Sequence, residues 1–282
     1  MNYENFWRNK EDFFAEQFGV KEGYYHEISP SSKNKVNLFM FEKNKGFVVK
    51  HAPKYCTKEL EVFNIMNKYN LGGTLDLLFA GDDFYITKYE STLRSYESFE
   101  KFISDIARMH LQGMSIPAMD SESFKNKNRD KSIDRVIRHP DLVKNFYTNI
   151  DKLVSYMDSN KNALDEQPKV FVHGDIHKNN VCSTQTKEFV YLDFELAVYD
   201  YPSWDLSRIL FGLDINDDKP IYSYLNILNG AIDKEAQRKR IDIDFIFKYC
   251  GVGIGVQQHE YFREYVPRYM KTINQRFEKI LD

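Results

Sequence analysis

The sequence predicts an α+β protein in two lobes, a small antiparallel sheet with one helix over residues 1–90 and a larger, mainly helical lobe over 91–282. Three observations predict it. β-Favouring runs joined by short polar connections fill the first ninety residues. Apolar residues at helical spacing dominate from Phe99 onward. One β-rich island, Val170 to Ala197, interrupts those helices. The change of pattern near residues 88–92 is the boundary, since the chain shows no internal repeat, low-complexity tract or Pro- or Gly-rich linker.

Within the first lobe, Asn37 to Phe41 (NLFMF) and Gly46 to Val49 (GFVV) are β-favouring runs joined by the polar EKNK, which predicts a hairpin. Thr57 is the expected N-cap of a helix reaching about Tyr69. Leu60, Phe63 and Met66 are spaced for one face of it, and Gly72-Gly73 is the expected stop. Leu75 to Ala80 and Phe84 to Thr87, split by Gly81-Asp82-Asp83, predict a second hairpin. In the second lobe, Phe99, Phe102, Ile103, Ile106 and Met109 mark one helix, and Leu142, Phe146, Ile150, Leu153 and Met157 mark another over Asp141 to Met157. Helical patterns resume at Asp205 after the island.

Composition removes several function classes. With 42% apolar and 29% charged residues in 282, the chain has the material for a soluble body with a large core. Thirty-nine basic against 42 acidic side chains leave a net charge of -3, so no basic surplus exists to hold nucleic acid. Cys56, Cys182 and Cys250 are an odd, scattered set with no CxxC pair, as expected of reduced thiols in the cytoplasm. The charged start has no signal-peptide core, and no stretch has the length of a membrane span, so no membrane partner is expected. Aromatic residues are abundant, 22 Phe, 19 Tyr and 2 Trp.

The chemistry is concentrated in His173-Gly174-Asp175-Ile176-His177-Lys178-Asn179-Asn180 and in Tyr191-Leu192-Asp193-Phe194-Glu195. A loop carboxylate, an amide five residues on and a second carboxylate at the end of a β-run are what phosphoryl transfer requires. Asp175 would orient the attacking hydroxyl and take its proton, while Asn180 and Asp193 supply hard oxygen ligands for Mg²⁺ on the phosphates of a nucleotide. The competing reading of His173, Asp175 and His177 as a metal-hydrolase cluster leaves Asn180 and Asp193 without a purpose.

HGDIHKNN followed by LDFELAVYDYPSWDLSRIL resembles the catalytic and metal-binding segment of the aminoglycoside phosphotransferase and choline kinase superfamily, small-molecule kinases with a bilobal protein-kinase-like fold. The resemblance is strong over about 170–210 and weaker over 30–110. It implies Asp175 as catalytic base, Asn180 and Asp193 as Mg²⁺ ligands, ATP as co-substrate, and Asp205 as support for the catalytic loop. It also implies a lysine on the phosphates, here Lys50 at the end of FVVK, held by a helical glutamate. Glu59 and Glu61 both qualify. Glu61 is preferred because the family's glutamate stands about four residues before an apolar pair, here Ile65-Met66. The turn Ile28 to Asn34, with Ser32 in it, has the Ser and Asn character of a phosphate-covering loop, and Ile86 to Glu90, centred near Tyr89, falls where the hinge would meet adenine. His110 is expected as a packing or capping residue.

The acceptor is a small molecule with a hydroxyl. An amino alcohol such as choline or ethanolamine, or a sugar, is expected first and an aminoglycoside second. From Asp205 to Asp282 twelve acids meet twelve bases, which does not favour a polycationic antibiotic. Rings from Tyr199 onward, including Tyr201, Trp204, Tyr222, Tyr224 and Tyr249, could box an ammonium or stack on a sugar, or could simply be helix-packing core. A nucleotide-binding pseudokinase or regulatory module is the alternative outside enzymes.

Overall fold

Two helices precede every strand: α1, Tyr3–Arg8, and α2, Lys10–Phe18. The sequence reading of one helix in this lobe omits both, because elements of six and nine residues are too short to display a helical period. The computed structural model describes residues 1–28, 34–90, 94–95, 98–117, 122–127, 131–160, 168–177, 180–183, 189–213, 217–228, 230–258 and 266–282. They form two compact units, Met1–Glu97 with Lys178–Leu196, and Ser98–His177 with Ala197–Asp282.

In the first unit, β1 (Tyr24–Glu27), β2 (Lys35–Glu42), β3 (Lys45–His51), β4 (Leu77–Ala80) and β5 (Phe84–Lys88) form an antiparallel sheet in the order β1-β2-β3-β5-β4. The expected EKNK hairpin joins β2 to β3, with Asn44 in the left-handed region that asparagine tolerates in a tight turn. Strand alternation divides the sheet's two faces. Phe39, Phe47, Val49, Phe84 and Ile86 face α1 and α2, where Phe14 stacks on Phe39 at 4.3 Å and Phe6 on Phe84 at 4.6 Å. Ala52 and Tyr85 pack instead with Cys56 and Phe63 of α3, Cys56–Tyr69. Lys50 is cross-strand to Tyr85 and one residue out of phase with Val49, so alternation carries it to the α3 face.

Residues 178–196, carried in the second lobe by the sequence reading, belong to the first unit. Backbone pairing ties them there: β8 (Val181–Ser183) pairs with β6 (Arg94–Ser95) on one side and β9 (Val190–Tyr191) on the other, and Val190 bridges Gly73.

The second unit holds β7 (Val170–Val172) against β10 (Val198–Asp200), and helices otherwise. α4, Phe99–Gly113, is capped by the Ser98 side chain and packs on the helix Lys219–Ile227 and on β7. The helical stretch expected over Asp141 to Met157 is two helices, Pro140–Lys144 and Ile150–Asn160, and Asn149 accepts the Lys152 N–H at 3.0 Å at the second start. The helix Lys234–Gln258 runs through the unit, packing on Ser203–Gly212 and Ser132–Arg138. Among the described residues no helix is long and apolar enough to cross a membrane.

Candidate functional site

In the first unit the centre of the arrangement is Lys50. Its Nζ donates to Glu59 Oε1 at 2.6 Å and to Asp193 Oδ1 at 2.8 Å. Burial alone would lower the ammonium's pKa, but the two carboxylates outweigh it and push the pKa above the ordinary lysine value. The glutamate that holds Lys50 is Glu59, which corrects the preference for Glu61. Helix α3 starts at Cys56 after an N-cap at Tyr55, two residues before the expected Thr57 cap. Its inward face carries Cys56, Glu59, Phe63 and Met66. Glu61 lies about 200° round the helix from Glu59 at 3.6 residues per turn, and it is exposed.

Asp193 and Asn180 sit at one end of the β8–β9 hairpin. The ladder continues one step past Val181 and Tyr191, where the Leu192 N–H donates to the Asn180 carbonyl at 2.9 Å. Asn180 is buried, whereas the Asp193 side chain keeps 42% of its surface open and its backbone is left-handed, at φ 62. A non-glycine residue held there is sterically disfavoured, a condition that recurs at functional sites. One amide and one carboxylate, both hard oxygen donors, fit Mg²⁺, which usually takes one or two carboxylates and completes its shell with water and phosphate oxygens. A group of three His, Cys, Asp or Glu able to hold a metal does not occur among the described residues, so the metal-hydrolase reading of His173, Asp175 and His177 finds no support.

Beside this cluster, Lys58 donates to the Glu195 carbonyl at 3.1 Å and Asn34 donates to Glu195 Oε2 at 2.9 Å. Ser32, expected in the phosphate-covering turn, lies outside the described residues; Asn34, at the end of that turn, is therefore tied to the residue two after Asp193. At the expected hinge, the N–H of Tyr89 donates to Gly46 and that of Lys88 to Asp76, both at 2.9 Å. Both amides are thus already satisfied within the chain.

In the second unit, Asp175 lies on a loop after β7 that is fastened through Asp205. The fully buried Asp205 carboxylate accepts the N–H of His173 at 2.9 Å, the N–H of Gly174 at 2.8 Å and His110 Nε2 at 3.2 Å. Gly174 has φ 84, which glycine alone adopts without penalty and which aims its N–H at Asp205. His110 Nδ1 in turn meets the Tyr224 hydroxyl at 2.6 Å, and the ionised Asp205 carboxylate, which can only accept, calls for a proton on Nε2. Burial would raise the Asp205 carboxyl, but the His110 hydrogen bond holds it below the usual range.

Two cations, Arg208 and Lys248, and the His177 imidazole lie about Asp175 itself. His177 Nε2 is 3.5 Å from one carboxylate oxygen and Arg208 Nε is 3.6 Å from the other. Lys248 donates to the Gly174 carbonyl at 2.9 Å and to the Trp204 carbonyl at 3.1 Å. Burial would raise the Asp175 pKa; His177, Lys248 and Arg208 together overcome it and hold the group well below the usual carboxylate range. Sequence reasoning missed Arg208 and Lys248. Arg208 is one helical turn after Asp205 and so shares its side of Ser203–Gly212, a usable signal, but Lys248 reaches the loop from 74 residues away and left none.

The rings proposed as an ammonium box are mostly core: Tyr201, Trp204, Tyr224, Phe245, Phe247 and Tyr249 are buried. Those with a cation over the ring have one from the chain itself, Lys248 over Trp204 at 4.9 Å and Arg240 over Tyr201 at 4.0 Å. Tyr222 is exposed, and Tyr261, Phe262 and Tyr265 lie outside the described residues.

Comparison with known proteins follows the same lines. Residues 42–238 match the model of the phosphotransferase enzyme family. No curated protein sequence matches the chain. Among solved structures, the choline kinase LicA from Streptococcus pneumoniae is similar with a TM-score of 0.65 and 13% identity, over 98% of this chain and 99% of that one. The ADP-bound aminoglycoside phosphotransferase APH(2'')-Ib has a TM-score of 0.63 and 18% identity, over 96% and 97%. A Plasmodium vivax ethanolamine kinase has a TM-score of 0.62 and 14% identity, over 89% and 80%. At these identities the likeness establishes the bilobal kinase-like fold.

Proposed function

Because the chain belongs to the phosphotransferase enzyme family, we propose that it moves the γ-phosphoryl group of ATP, with Mg²⁺, to a hydroxyl of a small molecule. The observation that carries this reading is the Lys50 ammonium gripped by Glu59 and Asp193, a charged triad built from a strand, a helix and a hairpin end. Lys50 meets the nucleotide phosphates, and Glu59 keeps its ammonium charged and aimed. Asn180 and Asp193 would hold Mg²⁺, which would supply charge neutralisation on the phosphate oxygens. Asp175 accepts a hydrogen bond from the acceptor hydroxyl, orients it for attack and takes its proton. The Asp205–His110–Tyr224 chain fixes the loop so that this orientation is set before substrate arrives. With the Lys88 and Tyr89 amides satisfied, a main-chain contact to adenine falls to the other groups of Ile86 to Glu90.

Among acceptors, a sugar-type hydroxyl is favoured over an amino alcohol or an aminoglycoside, because Tyr201, Trp204, Tyr224 and Tyr249 are buried and the first two already carry the chain's own cations. A binding-only module has no use for an ionised Asp175 on a fastened loop, which favours the enzyme. The three cysteines, buried and free, and the use of ATP support a cytoplasmic setting. The test is ADP formation from ATP with excess sugars, amino alcohols and aminoglycosides, with and without Mg²⁺. Acceptor-dependent, Mg²⁺-dependent ADP formation is expected; ATP binding without turnover on any acceptor would favour the module.

A further inference from the structure

The surroundings of Asp175 bear on the charge of the acceptor. Whatever hydroxyl reaches this carboxylate brings its neighbouring substituents close to Arg208, whose Nε is 3.6 Å from Asp175. That distance is an ion pair without a hydrogen bond, and Nε has no hydrogen-bond partner among the described residues. The guanidinium is held in place by other means. Its Nη1 donates to the Tyr249 hydroxyl at 3.3 Å, and its carbon lies 5.8 Å from the ring centre of Phe211, which is itself stacked on Tyr249 at 4.7 Å and packed against Tyr269 at 5.0 Å. Ring packing thus fixes an arginine beside the loop carboxylate while 21% of its side chain, and 34% of that of Asp175, stays open to an incoming molecule.

Among the described residues, the carboxylates near Arg208 other than Asp175 itself are already engaged. Asp205 is fully buried and taken by His110 and two backbone N–H groups, and Asp244 is buried against Ser203 and Arg240. Lys248 adds a second positive charge on the Gly174 side of the loop. An acceptor with an ammonium a few bonds from its hydroxyl would place like charge beside Arg208; an acidic substituent there would meet an arginine that is already oriented.

Resting on the phosphotransferase reading, we propose that the acceptor is anionic, a hydroxyl compound with a carboxylate or phosphate group close to the phosphorylated hydroxyl, and that Arg208 selects it. Acceptor-dependent ADP formation is measured on pairs that differ in one charged substituent, glycerate against glycerol and glucose 6-phosphate against glucose, with ethanolamine as the cationic probe. The anionic member of at least one pair is expected to have a kcat/KM tenfold or more higher than its neutral partner, and the pair that responds identifies carboxylate or phosphate. Arg208→Gln is expected to erase that preference by raising KM for the anionic member, and Arg208→Lys to restore part of it. A preference for the neutral or cationic acceptors, no transfer to either anionic member, or an Arg208→Gln variant that lowers kcat equally for all acceptors would overturn the inference, the last because Arg208 would then only hold Asp175. Mg²⁺-dependent ATP binding is followed in parallel. Its absence defeats the phosphotransferase reading itself, and its presence with a failed charge preference defeats only the anionic acceptor.

Discussion

In the first unit a single ammonium, Lys50, lies between two carboxylates, Glu59 at 2.6 Å and Asp193 at 2.8 Å; in the second a single carboxylate, Asp175, lies among Arg208 at 3.6 Å, His177 at 3.5 Å and the nearby Lys248. The first cluster has negative charge to spare, which suits a divalent cation, and its lysine suits the phosphates the cation accompanies. The second holds its open carboxylate, Asp175, against the fixed guanidinium of Arg208, while Lys248 is shared with the buried Asp205. Its carboxylate is hard to protonate and therefore a weak base, which is sufficient where the transition state is loose and the main task is to aim the hydroxyl. One cluster sets an open carboxylate beside a gripped ammonium and the other sets an open carboxylate beside a ring-packed guanidinium.

The aromatic residues do not divide in this way. In the first unit rings pack on rings, Phe14 on Phe39 and Phe47, Phe6 on Phe84. In the second, Trp204, Tyr201 and Phe211 each have a cation of the chain nearby. Buried Phe and Tyr are core in both units, and cations of the chain lie over rings in both, Lys10 over Trp7 and Tyr25 in the first.

Substitutions can break this comparison, the largest effect first. Asp175→Ala is expected to cost about 10²–10⁴-fold in kcat, the range of a positioned acid or base, while ATP affinity measured by calorimetry stays near the parent value. Glu59→Ala leaves a buried ammonium short of one partner and is expected to lose about 3–5 kcal/mol in urea unfolding, against less than about 0.5 kcal/mol for the exposed Glu61→Ala. Equal effects of the two would return the pairing to Glu61. Tyr224→Phe removes the hydroxyl on His110 and is expected to cost about 1 kcal/mol with a measurable loss of kcat, since it acts only through the Asp205 anchor.

The pH response sharpens the second cluster. Withdrawal from water brings the Lys248 pKa down to about 8, against the pull of Asp205 and Asp175. The unfolded chain therefore holds more protons at this site than the folded one between about pH 8 and the ordinary lysine value near 10.4, so the contribution of Lys248 to stability rises with pH through that window. Thermal unfolding of the parent chain is expected to improve relative to Lys248→Met between pH 8 and 10, and a constant difference between the two would remove the buried ammonium from the account.

Much of this was legible in the sequence where local pattern and motif spacing carry the information. The β2–β3 hairpin, the α4 period and the HGD and LDFE segments all stand where the residues place them. Glu59 was also legible, since it shares a helical face with Phe63 and Met66, but matching spacing to an apolar pair selected Glu61 instead. The attachment of residues 178–196 to the first unit was not legible, because it depends on two-residue strands pairing with Arg94–Ser95 and Gly73. Lys248 depends on a tertiary approach that no local pattern encodes.

The most direct test of the central claim is ATP binding titrated against Mg²⁺, with ADP formation read on the same samples, for Asp193→Ala beside Asp175→Ala. Asp193→Ala is expected to lose the Mg²⁺-dependent part of ATP affinity, and Asp175→Ala to keep it while losing turnover. An Mg²⁺ dependence that survives in Asp193→Ala, or ATP affinity that falls equally in both, would contradict the division of labour between the two clusters.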